Sequence, residues 1–335
     1  MKSLVVHGAG DLRIDELPSL LPVDGQVQVR ITHGGICGSD LHYYRHGAVG
    51  AFTLREPLVL GHEVVGAIAV DPSGGLEVGT PVAVHPASPC GQCAECLAGV
   101  RNVCRNARYL GSAASNPHTQ GGFAASLIVR QDQIRVLPNT LPLSRAVLAE
   151  PLAVGLHALN RAGGVAGAKV LIGGSGPIGL LAAGAAKAAG AQEVWTTDLL
   201  EHPLQIAGKL GVDQTVRIGT DPLPSEYFDV AIEASGAPGA VGPTLAAVRR
   251  RGVLVQLGMF PPGPRPSELS AMVAKEIDYR GAFRFDTEFD ESIALLAASD
   301  ALDPVVTHTF ELADALVAMD IAADPAVSGK VVLLL

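Results

Sequence analysis

The sequence predicts an α/β protein that combines a β-rich domain with a doubly wound parallel sheet, and three observations lead to this fold class. Up to about residue 150, short apolar segments are broken by glycine and proline. Beyond Glu150-Pro151, strand-like and helix-like segments alternate. A glycine-rich turn over residues 174–179 lies between the first of these strands and the first of these helices. Such alternation is typical of βαβ units around a parallel sheet.

Apolar periodicity and turn residues place the elements of both parts. In the first part, strands are predicted over residues 27–31, 64–70 and 78–84. Short strands with frequent turns are typical of a barrel or a sandwich. In the second part, strands are predicted over 170–172, 193–198, 228–233 and 252–257, and helices over 178–189, 205–210 and 240–250. After residue 285, a helix over 291–298 precedes strands ending at 330–335, which we expect to return to the first domain.

Composition and charge exclude several kinds of partner. A length of 335 residues suggests about two domains, and the net charge of -9 leaves no basic surface for a nucleic acid. We interpret the one basic run, Arg249-Arg250-Arg251, as a helix end, where it suits the helix dipole. The apolar stretch 180–191 is too short to span a bilayer, and no signal peptide is recognisable. We therefore expect a cytoplasmic protein with no nucleic-acid or membrane partner, its cysteines reduced.

Four of the five cysteines form a cluster with the spacing Cys90-x2-Cys93-x2-Cys96-x7-Cys104. Closely spaced cysteine pairs are common ligands of tetrahedral zinc. The polar loop around them has too little apolar material to fold alone, so a metal would have to hold it. We predict a structural zinc that leaves no coordination position for a substrate.

The fifth cysteine, Cys37, is followed along the chain by Gly61-His62-Glu63 and by Glu150. A single Cys or His is more often a core residue than a ligand. A catalytic zinc, however, takes about three protein ligands and keeps one position open. Cys37 and His62 are predicted to supply two ligands, with Glu63 or Glu150 as the third, and the sequence leaves this choice open. Two zinc ions per chain are therefore expected.

The segment Gly174-Ser175-Gly176-Pro177-Ile178-Gly179 follows a predicted strand and opens a predicted helix. In this context the glycines let the backbone approach a pyrophosphate at the helix N-terminus. Asp198 ends the next predicted strand, 19 residues beyond Gly179, where an acidic side chain binds the adenosine ribose. A carboxylate repels a 2′-phosphate and no arginine follows closely, so we predict NAD rather than NADP. A glycine-rich turn without a ligand is the simpler alternative.

Several segments together carry a family resemblance over essentially the whole chain. They are residues 35–43 and 61–66, the four-cysteine cluster, Glu150-Pro151-Leu152 and the dinucleotide turn. In these segments the chain resembles the zinc-dependent medium-chain alcohol and polyol dehydrogenases, and segments 42–44 and 281–285 are most similar to the branch acting on polyols and sugar acids. The resemblance implies a GroES-like catalytic domain over 1–152 and 286–335, with a structural zinc lobe at about 88–106. It also implies a Rossmann NAD-binding domain over 153–285 and a homotetramer or homodimer.

The resemblance supports the metal ligands already singled out and marks one departure. It implies that Cys37 and His62 bind the catalytic zinc, and it places both Glu63 and Glu150 at the site. Glu63 would be able to ligate the metal, whereas Glu150 would either ligate it or hold the zinc-bound water, and their exchange stays open. Relatives often carry a basic residue five positions after the ribose-binding acid, where this chain has Pro203. An adenosine contact is thereby removed, although the preference for NAD is unaffected.

Further roles follow from the resemblance alone. Ser39 would carry the proton released from the substrate, and His42 would pass it out through the cofactor ribose. Tyr43 and Arg284 would bind substrate oxygens, and Leu257 would contact the cofactor together with the turn residues. Arg284 could pair with the carboxylate of a sugar acid, or it could form a structural ion pair.

The resemblance implies a zinc-dependent oxidoreductase that moves a hydride between NAD and a secondary alcohol of a sugar acid or polyol, and we expect a sugar acid as the substrate. Other functions compete with this expectation. Within the same family, the substrate could be a neutral polyol such as sorbitol or xylitol, or a 2,3-diol. A metal- or nucleotide-binding regulator without activity would not need Cys37, His62, Ser39 and His42 together. A zinc-free reductase of the superfamily would typically lack both the four-cysteine cluster and Gly61-His62-Glu63.

Overall fold

The computed structural model describes residues 1–266 and 268–335. The elements of the first part are, in chain order, β1 (Lys2–Gly8), β2 (Asp11–Glu16), β3 (Gln26–Gly35), α1 (Gly38–His46), β4 (Ala48–Val49), β5 (Phe52–Thr53), β6 (Leu58–Val59), β7 (Glu63–Val70), β8 (Pro81–Val84), β9 (Ala87–Ser88), α2 (Ala94–Leu97), β10 (Arg108–Tyr109), β11 (Ser126–Arg130), β12 (Ile134–Val136) and α3 (Leu143–Ala146). Those that follow are α4 (Ala149–Ala162), β13 (Lys169–Gly173), α5 (Pro177–Ala188), β14 (Glu193–Asp198), α6 (Glu201–Lys209), β15 (Gln214–Arg217), β16 (Phe228–Glu233), α7 (Val241–Ala247), β17 (Val248–Gln256), α8 (Ser270–Ala274), β18 (Asp278–Gly281), α9 (Glu288–Ala298), β19 (Val306–Glu311), α10 (Ala315–Ala322) and β20 (Lys330–Leu334). Short 3-10 turns cover Arg101–Val103, Gln131–Gln133, Pro238–Ala240, Asp303–Val305 and Leu312–Asp314.

A mixed sheet in the order β12-β8-β7-β3-β20-β19 is the scaffold of the first part. Its long strand β3 pairs with β7 along one side. On the other side, the first half of β3 pairs with β11 and its last residues pair with β20. Val27, Val29 and Ile31 alternate along β3 and are fully buried, so the strand presents an apolar face to the core. The end of the chain thus lies in the same sheet as β3.

The second sheet has the order β15-β14-β13-β16-β17-β18, and all its strand pairs are parallel. Counted from β13, this order is 3-2-1-4-5-6, the doubly wound arrangement. Nucleotides bind such sheets beyond the carboxyl ends of the strands, where the strand order reverses, here between β13 and β16. The predicted α/β fold class is confirmed, and the glycine-rich turn after β13 lies at this reversal point.

Helix α4 connects the two sheets and carries Glu150 in its first turn. The expected domain boundary at residue 152 falls inside this continuous helix, which tolerates Pro151 because the first turn needs no backbone donor there. The helix ends at Gly163, which has the left-handed conformation (φ 98°). Its buried face packs in one core with α5 and α9. Helix α4 is 14 residues long. Among the described residues, no helix is long and apolar enough to cross a membrane.

The interpretation of Arg249-Arg250-Arg251 as a helix end is wrong. Helix α7 ends at Ala247, and the three arginines lie in β17, where they are exposed and face carboxylates of neighbouring segments. The buried Lys275 provides the positive charge at the end of α7 instead. Its Nζ donates to the carbonyl oxygens of Leu245, Ala246 and Val248 at 2.6–3.0 Å. A cation does cap the helix, but it comes from a distant position in the chain.

Candidate functional site

A cavity of about 460 Å³ opens between the carboxyl ends of the parallel strands and the first part of the chain. Many of the predicted site residues line it: Cys37, Ser39, His42, Tyr43, His62, Glu150, Ile178, Leu257 and Arg284. Glu63 is fully buried beside the cavity. Gly174, Gly176, Pro177, Gly179 and Asp198 do not line this cavity: the first four belong to the adjoining turn, and Asp198 ends β14 beside it. Residues separated by more than 200 positions in the sequence therefore meet in one cleft.

Three metal-binding side chains meet at one end of this cavity. Cys37, His62 and Glu63 each offer a ligand atom, and these atoms lie within 4.8 Å of one another. Cys37 caps α1, whereas Glu63 begins β7 and His62 immediately precedes it. The carboxylate of Asp40 joins the two segments, because it accepts hydrogen bonds from the backbone N–H groups of Cys37 at 2.9 Å and Gly61 at 3.1 Å. Asp40 therefore orients the segments that carry the ligands.

Glu63 is held by a buried lysine from the last strand. Nζ of Lys330 donates to both carboxylate oxygens of Glu63 at 2.7 Å, and both side chains are almost fully buried. Burial raises the pKa of Glu63 to about 7, although the Lys330 charge opposes this, and Glu63 in turn raises the pKa of Lys330 against the effect of burial. A Cβ atom on Gly35 would lie 2.1 Å from the Glu63 carboxylate, so only glycine leaves room there. Gly35 thus leaves the space that the buried Glu63 carboxylate occupies, and Lys330 supplies its hydrogen bonds.

Glu150 reaches the same cavity from α4 and is held by Tyr109. The Tyr109 hydroxyl donates to Oε1 of Glu150 at 2.5 Å. Burial and the Glu150 charge raise the pKa of Tyr109, so the phenol keeps its proton and acts as a donor. The ring of Tyr109 also lies against that of His62, with centroids 5.6 Å apart. Glu150 is therefore beside the three-ligand cluster, while the mutual 4.8 Å contacts are made by Glu63.

The charges around the cluster fit a metal cation. Burial lowers the pKa of His62, but Cys37, Asp40 and Glu150 together outweigh burial and raise that pKa to about 10. The surroundings of His62 thus favour a positive charge, which a divalent cation also supplies. Sulfur, nitrogen and oxygen donors in one cluster are those that zinc takes in catalytic sites.

The four-cysteine cluster is closed. The sulfur atoms of Cys90, Cys93, Cys96 and Cys104 all lie within 4.8 Å of one another. The sulfur of Cys104 is 3.7 Å from that of Cys93 and 3.5 Å from that of Cys90. A disulfide would need about 2.05 Å, whereas sulfur atoms at tetrahedral positions about 2.3 Å from zinc are about 3.8 Å apart. The geometry fits a metal held by four thiolates.

Ser39 and His42 occupy the positions expected of a proton path. Both lie on α1 and line the cavity, and His42 is exposed. Partial burial, with help from the nearby His46, lowers the pKa of His42, so its ring is available as a proton acceptor near neutral pH. Among the described residues no hydrogen bond joins Ser39 to His42, and the relay stays a prediction.

Tyr43 and Arg284, the expected substrate contacts, differ in their surroundings. The Tyr43 hydroxyl accepts a hydrogen bond from the backbone N–H of Ala113 at 2.9 Å, and the side chain is buried. Arg284 has a left-handed backbone (φ 54°), and its guanidinium carbon lies 3.8 Å from the centroid of the Tyr109 ring. Within residues 1–266 and 268–335, no carboxylate forms an ion pair with Arg284. The structural ion pair considered for this arginine is therefore not present in the described chain.

The glycine-rich turn has the shape that a dinucleotide needs. Cβ atoms on Gly174 and Gly179 would lie 2.8 Å and 1.9 Å from neighbouring atoms, whereas one on Gly176 would meet nothing within 4 Å. Gly176 caps α5 and is exposed, so a pyrophosphate can approach the helix N-terminus there. The Asp198 carboxylate accepts a hydrogen bond from the backbone N–H of Ser175 at 2.9 Å, which places it against the turn. These residues fit a nicotinamide dinucleotide.

Two functional residues were not predicted, Tyr109 and Lys330. Tyr109 stands in a two-residue strand without a motif, and nothing in the local sequence indicates its contact with Glu150. Lys330 could have been found, because it begins the apolar strand Lys330–Leu334. A lysine is almost never fully buried without a partner, so its position predicts a buried carboxylate nearby.

Comparisons with known proteins agree with this site. The family "Alcohol dehydrogenase GroES-like domain" matches residues 23–139, and "Zinc-binding dehydrogenase" matches residues 177–298. L-idonate 5-dehydrogenase (NAD(P)(+)) of Escherichia coli (strain K12) is 39% identical over 312 residues, which cover 90% of each chain. Sorbitol dehydrogenase of Bacillus subtilis (strain 168) is 35% identical over 308 residues, covering 89% of this chain and 86% of its own. The crystal structure of L-idonate 5-dehydrogenase from Escherichia coli has a TM-score of 0.95 and 36% identity, and covers 100% of this chain and 98% of its own. The chain therefore belongs to the zinc-binding alcohol dehydrogenase family, which confirms the resemblance found in its sequence.

Proposed function

We propose that this oxidoreductase is an NAD-linked, zinc-dependent dehydrogenase of a sugar acid, with the oxidation of L-idonate to 5-keto-D-gluconate as its reaction. The observation that carries the substrate class is Arg284. Its guanidinium lines the cavity next to the metal-ligand cluster and has no carboxylate partner among the described residues. A substrate carboxylate would accept a charge-assisted hydrogen bond from this guanidinium. A neutral polyol has no carboxylate and cannot form this ion pair. The similarity to L-idonate 5-dehydrogenase supports the same choice.

The residues of the cavity have separate tasks in this proposal. Zinc would supply polarisation of the substrate hydroxyl, and NAD would supply the hydride acceptor. Cys37, His62 and Glu63 would hold the metal, since their ligand atoms are mutually close, with Glu150 beside it. Ser39 would take the hydroxyl proton and His42 would deliver it to solvent. Tyr43 would bind a substrate oxygen inside the cavity.

The cofactor contacts follow from the turn. The N–H groups at the start of α5 would hold the pyrophosphate over Gly176, and Ile178 and Leu257 would pack against the nicotinamide end, because both line the cavity. Asp198 would accept hydrogen bonds from the ribose and would repel a 2′-phosphate. We therefore propose NAD as the preferred cofactor, although the Escherichia coli relative is named for both NAD and NADP.

Domain limits and assembly are part of the same proposal. We place the GroES-like domain at residues 1–152 and 286–335, the zinc lobe at about 88–106, and the Rossmann domain at 153–285. A homodimer or homotetramer is supported by β18, an edge strand of the parallel sheet that pairs on one side only among residues 1–266 and 268–335. Five free cysteines support a reducing, cytoplasmic location.

The test of the substrate is NAD-linked turnover of L-idonate and sorbitol side by side, with zinc measured on the same sample. We expect two zinc ions per chain and a kcat/KM for L-idonate at least tenfold above that for sorbitol. Arg284→Gln should lower kcat/KM for L-idonate about 10- to 100-fold, the range of a charge-assisted hydrogen bond, and leave that for sorbitol within about threefold. Arg250→Gln, an exposed arginine that faces Glu226, is the control.

Two results would contradict this assignment. Turnover of sorbitol without turnover of L-idonate would mean that the substrate is a neutral polyol and not a sugar acid. One zinc per chain, with activity intact, would mean that the reaction does not use a catalytic zinc.

A further inference from the structure

Tyr109 contacts two groups of the cavity. One is Glu150, which lies beside the metal-ligand cluster, and the other is Arg284, the proposed substrate-binding residue. Its hydroxyl donates to Oε1 of Glu150 at 2.5 Å. Its ring face lies under the guanidinium of Arg284, 3.8 Å from the centroid. The side chain is 8% exposed, so these contacts are shielded from water. One buried residue outside every recognised motif thus contacts the two groups whose positions matter most to the proposed reaction.

The two carboxylates near the cluster are held in different ways. Both oxygens of Glu63 accept from the Lys330 ammonium, which fixes this carboxylate on both sides. In the part of the chain that the structure describes, the Glu150 carboxylate has one hydrogen bond, from the Tyr109 hydroxyl. Without that hydroxyl, rotation of the Glu150 side chain would no longer be restricted by a donor. The direction of Glu150 therefore depends on Tyr109.

Arg284 depends on the same ring. Its backbone has φ 54°, a left-handed conformation that non-glycine residues adopt at a cost. No carboxylate of the described residues pairs with its side chain, and its close contacts are the faces of Tyr109 and, at 4.8 Å, Phe283. A guanidinium over an aromatic face is held by cation–π attraction. The Tyr109 ring thus keeps the guanidinium over the cavity.

We propose that Tyr109 is a positioning residue which holds Glu150 beside the Cys37–His62–Glu63 cluster and Arg284 over the substrate cavity. Its hydroxyl keeps the Glu150 carboxylate from becoming a further ligand, so that one side of the cluster stays open toward the substrate. Its ring keeps the guanidinium where a substrate carboxylate can reach it. This inference rests on the proposed function, because it takes the cluster as the metal site and Arg284 as the substrate contact.

The two contacts can be separated by substitution. Tyr109→Phe removes the hydroxyl and keeps the ring, whereas Tyr109→Met removes both and retains a flexible apolar side chain. Tyr109→Leu repeats the second change should the methionine variant not fold. Tyr227→Phe is the matched control, since the Tyr227 hydroxyl also donates to a glutamate, Glu193, at 2.8 Å but lies far from the cavity lining.

The readouts are the visible absorption spectrum of the Co²⁺-substituted enzyme, bound metal per chain, and kcat and KM for L-idonate with NAD. For Tyr109→Phe we expect an altered cobalt spectrum, as Glu150 enters the coordination sphere, a kcat about tenfold lower and a KM within about threefold of the wild type. For Tyr109→Met we expect the same spectral change and a KM at least tenfold higher. Tyr227→Phe should match the wild type in every readout.

An unchanged cobalt spectrum and kcat in Tyr109→Phe would overturn the role of the hydroxyl. Equal KM values in the phenylalanine variant and in the methionine or leucine variant would overturn the role of the ring. Failure of the proposed function gives a different result, because the wild type itself would then lack the second metal or the turnover of L-idonate.

Discussion

The two metal clusters of this chain are built on opposite plans. The lobe cluster uses one residue type, and its four thiols come from a segment of 15 residues, Cys90 to Cys104. The cavity cluster uses three different donors, which α1 and β7 bring together, and it faces a space of about 460 Å³. Four donors close the first site, whereas three leave the second open. A closed site can be specified by local spacing, but an open site needs the fold to hold its ligands and to shape the space beside them.

Loss of the cavity cluster should have the largest effect on activity. Cys37→Ser removes the sulfur ligand from the Cys37–His62–Glu63 cluster, so the zinc of this site should be lost. We expect kcat/KM to fall at least about 10³-fold, because metal polarisation of the reacting oxygen contributes several kcal/mol to catalysis. The melting temperature should change by less than about 3 °C. Turnover assays, metal analysis and calorimetry measure these three quantities.

Cys104→Ser is the matched change in the lobe. It should also reduce the zinc content from two to one, but the lobe should lose its structure, and proteolysis at Arg101 and Arg105 should become at least tenfold faster. If both variants lost activity equally and neither became protease-sensitive, the division into an open and a closed site would be wrong.

The contact between the lobe and the rest of the chain is the next place to test, and it is sensitive to acid. Asn102 lies 3.3 Å from the ring of His157, whose other ring nitrogen is 2.9 Å from the buried carboxylate of Glu288. Burial raises the pKa of Glu288, but hydrogen bonds with His157, the backbone of Asp286 and Asn160 outweigh it and lower the pKa to about 2.

Because the folded pKa of Glu288 lies below its unfolded value of about 4.3, the carboxylate stabilises the fold above that pH. This stabilisation, about 3 kcal/mol, should disappear as the pH falls from about 4.3 to about 2. Glu288→Gln should remove this pH dependence. Urea unfolding of both proteins at pH 7, 4 and 3 measures the difference, and parallel pH profiles would show that Glu288 does not contribute. Glu201→Gln, an exposed glutamate on α6, is the control.

The same division separates what the sequence could predict from what it could not. The four-cysteine lobe, the glycine-rich turn and the ligands Cys37 and His62 are recognisable because their signals are local. Lys330 and Glu63 are 267 positions apart, and Tyr109 and Glu150 are 41 apart, so no spacing rule connects them. The local charge pattern at 249–251 wrongly predicts a helix end for a similar reason, because the cation that caps that helix is Lys275, which lies outside the run.

The smallest expected effect tests whether the closed site influences the open one. In the lobe, Nδ2 of Asn102 donates to the backbone carbonyl of Phe283 at 2.9 Å, and the next residue is Arg284. Without this hydrogen bond the backbone of Phe283 is less restrained. Because the adjacent Arg284 has a left-handed backbone, the Arg284 guanidinium should then move away from the cavity. Asn102→Ala should raise KM for L-idonate about three- to tenfold, with kcat, zinc content and the KM for NAD unchanged. Asn139→Ala, at an exposed position in the first part of the chain, is the control. An unchanged KM would mean that the lobe stabilises the chain without reaching the substrate, whereas a loss of zinc would mean that Asn102 acts on the lobe itself.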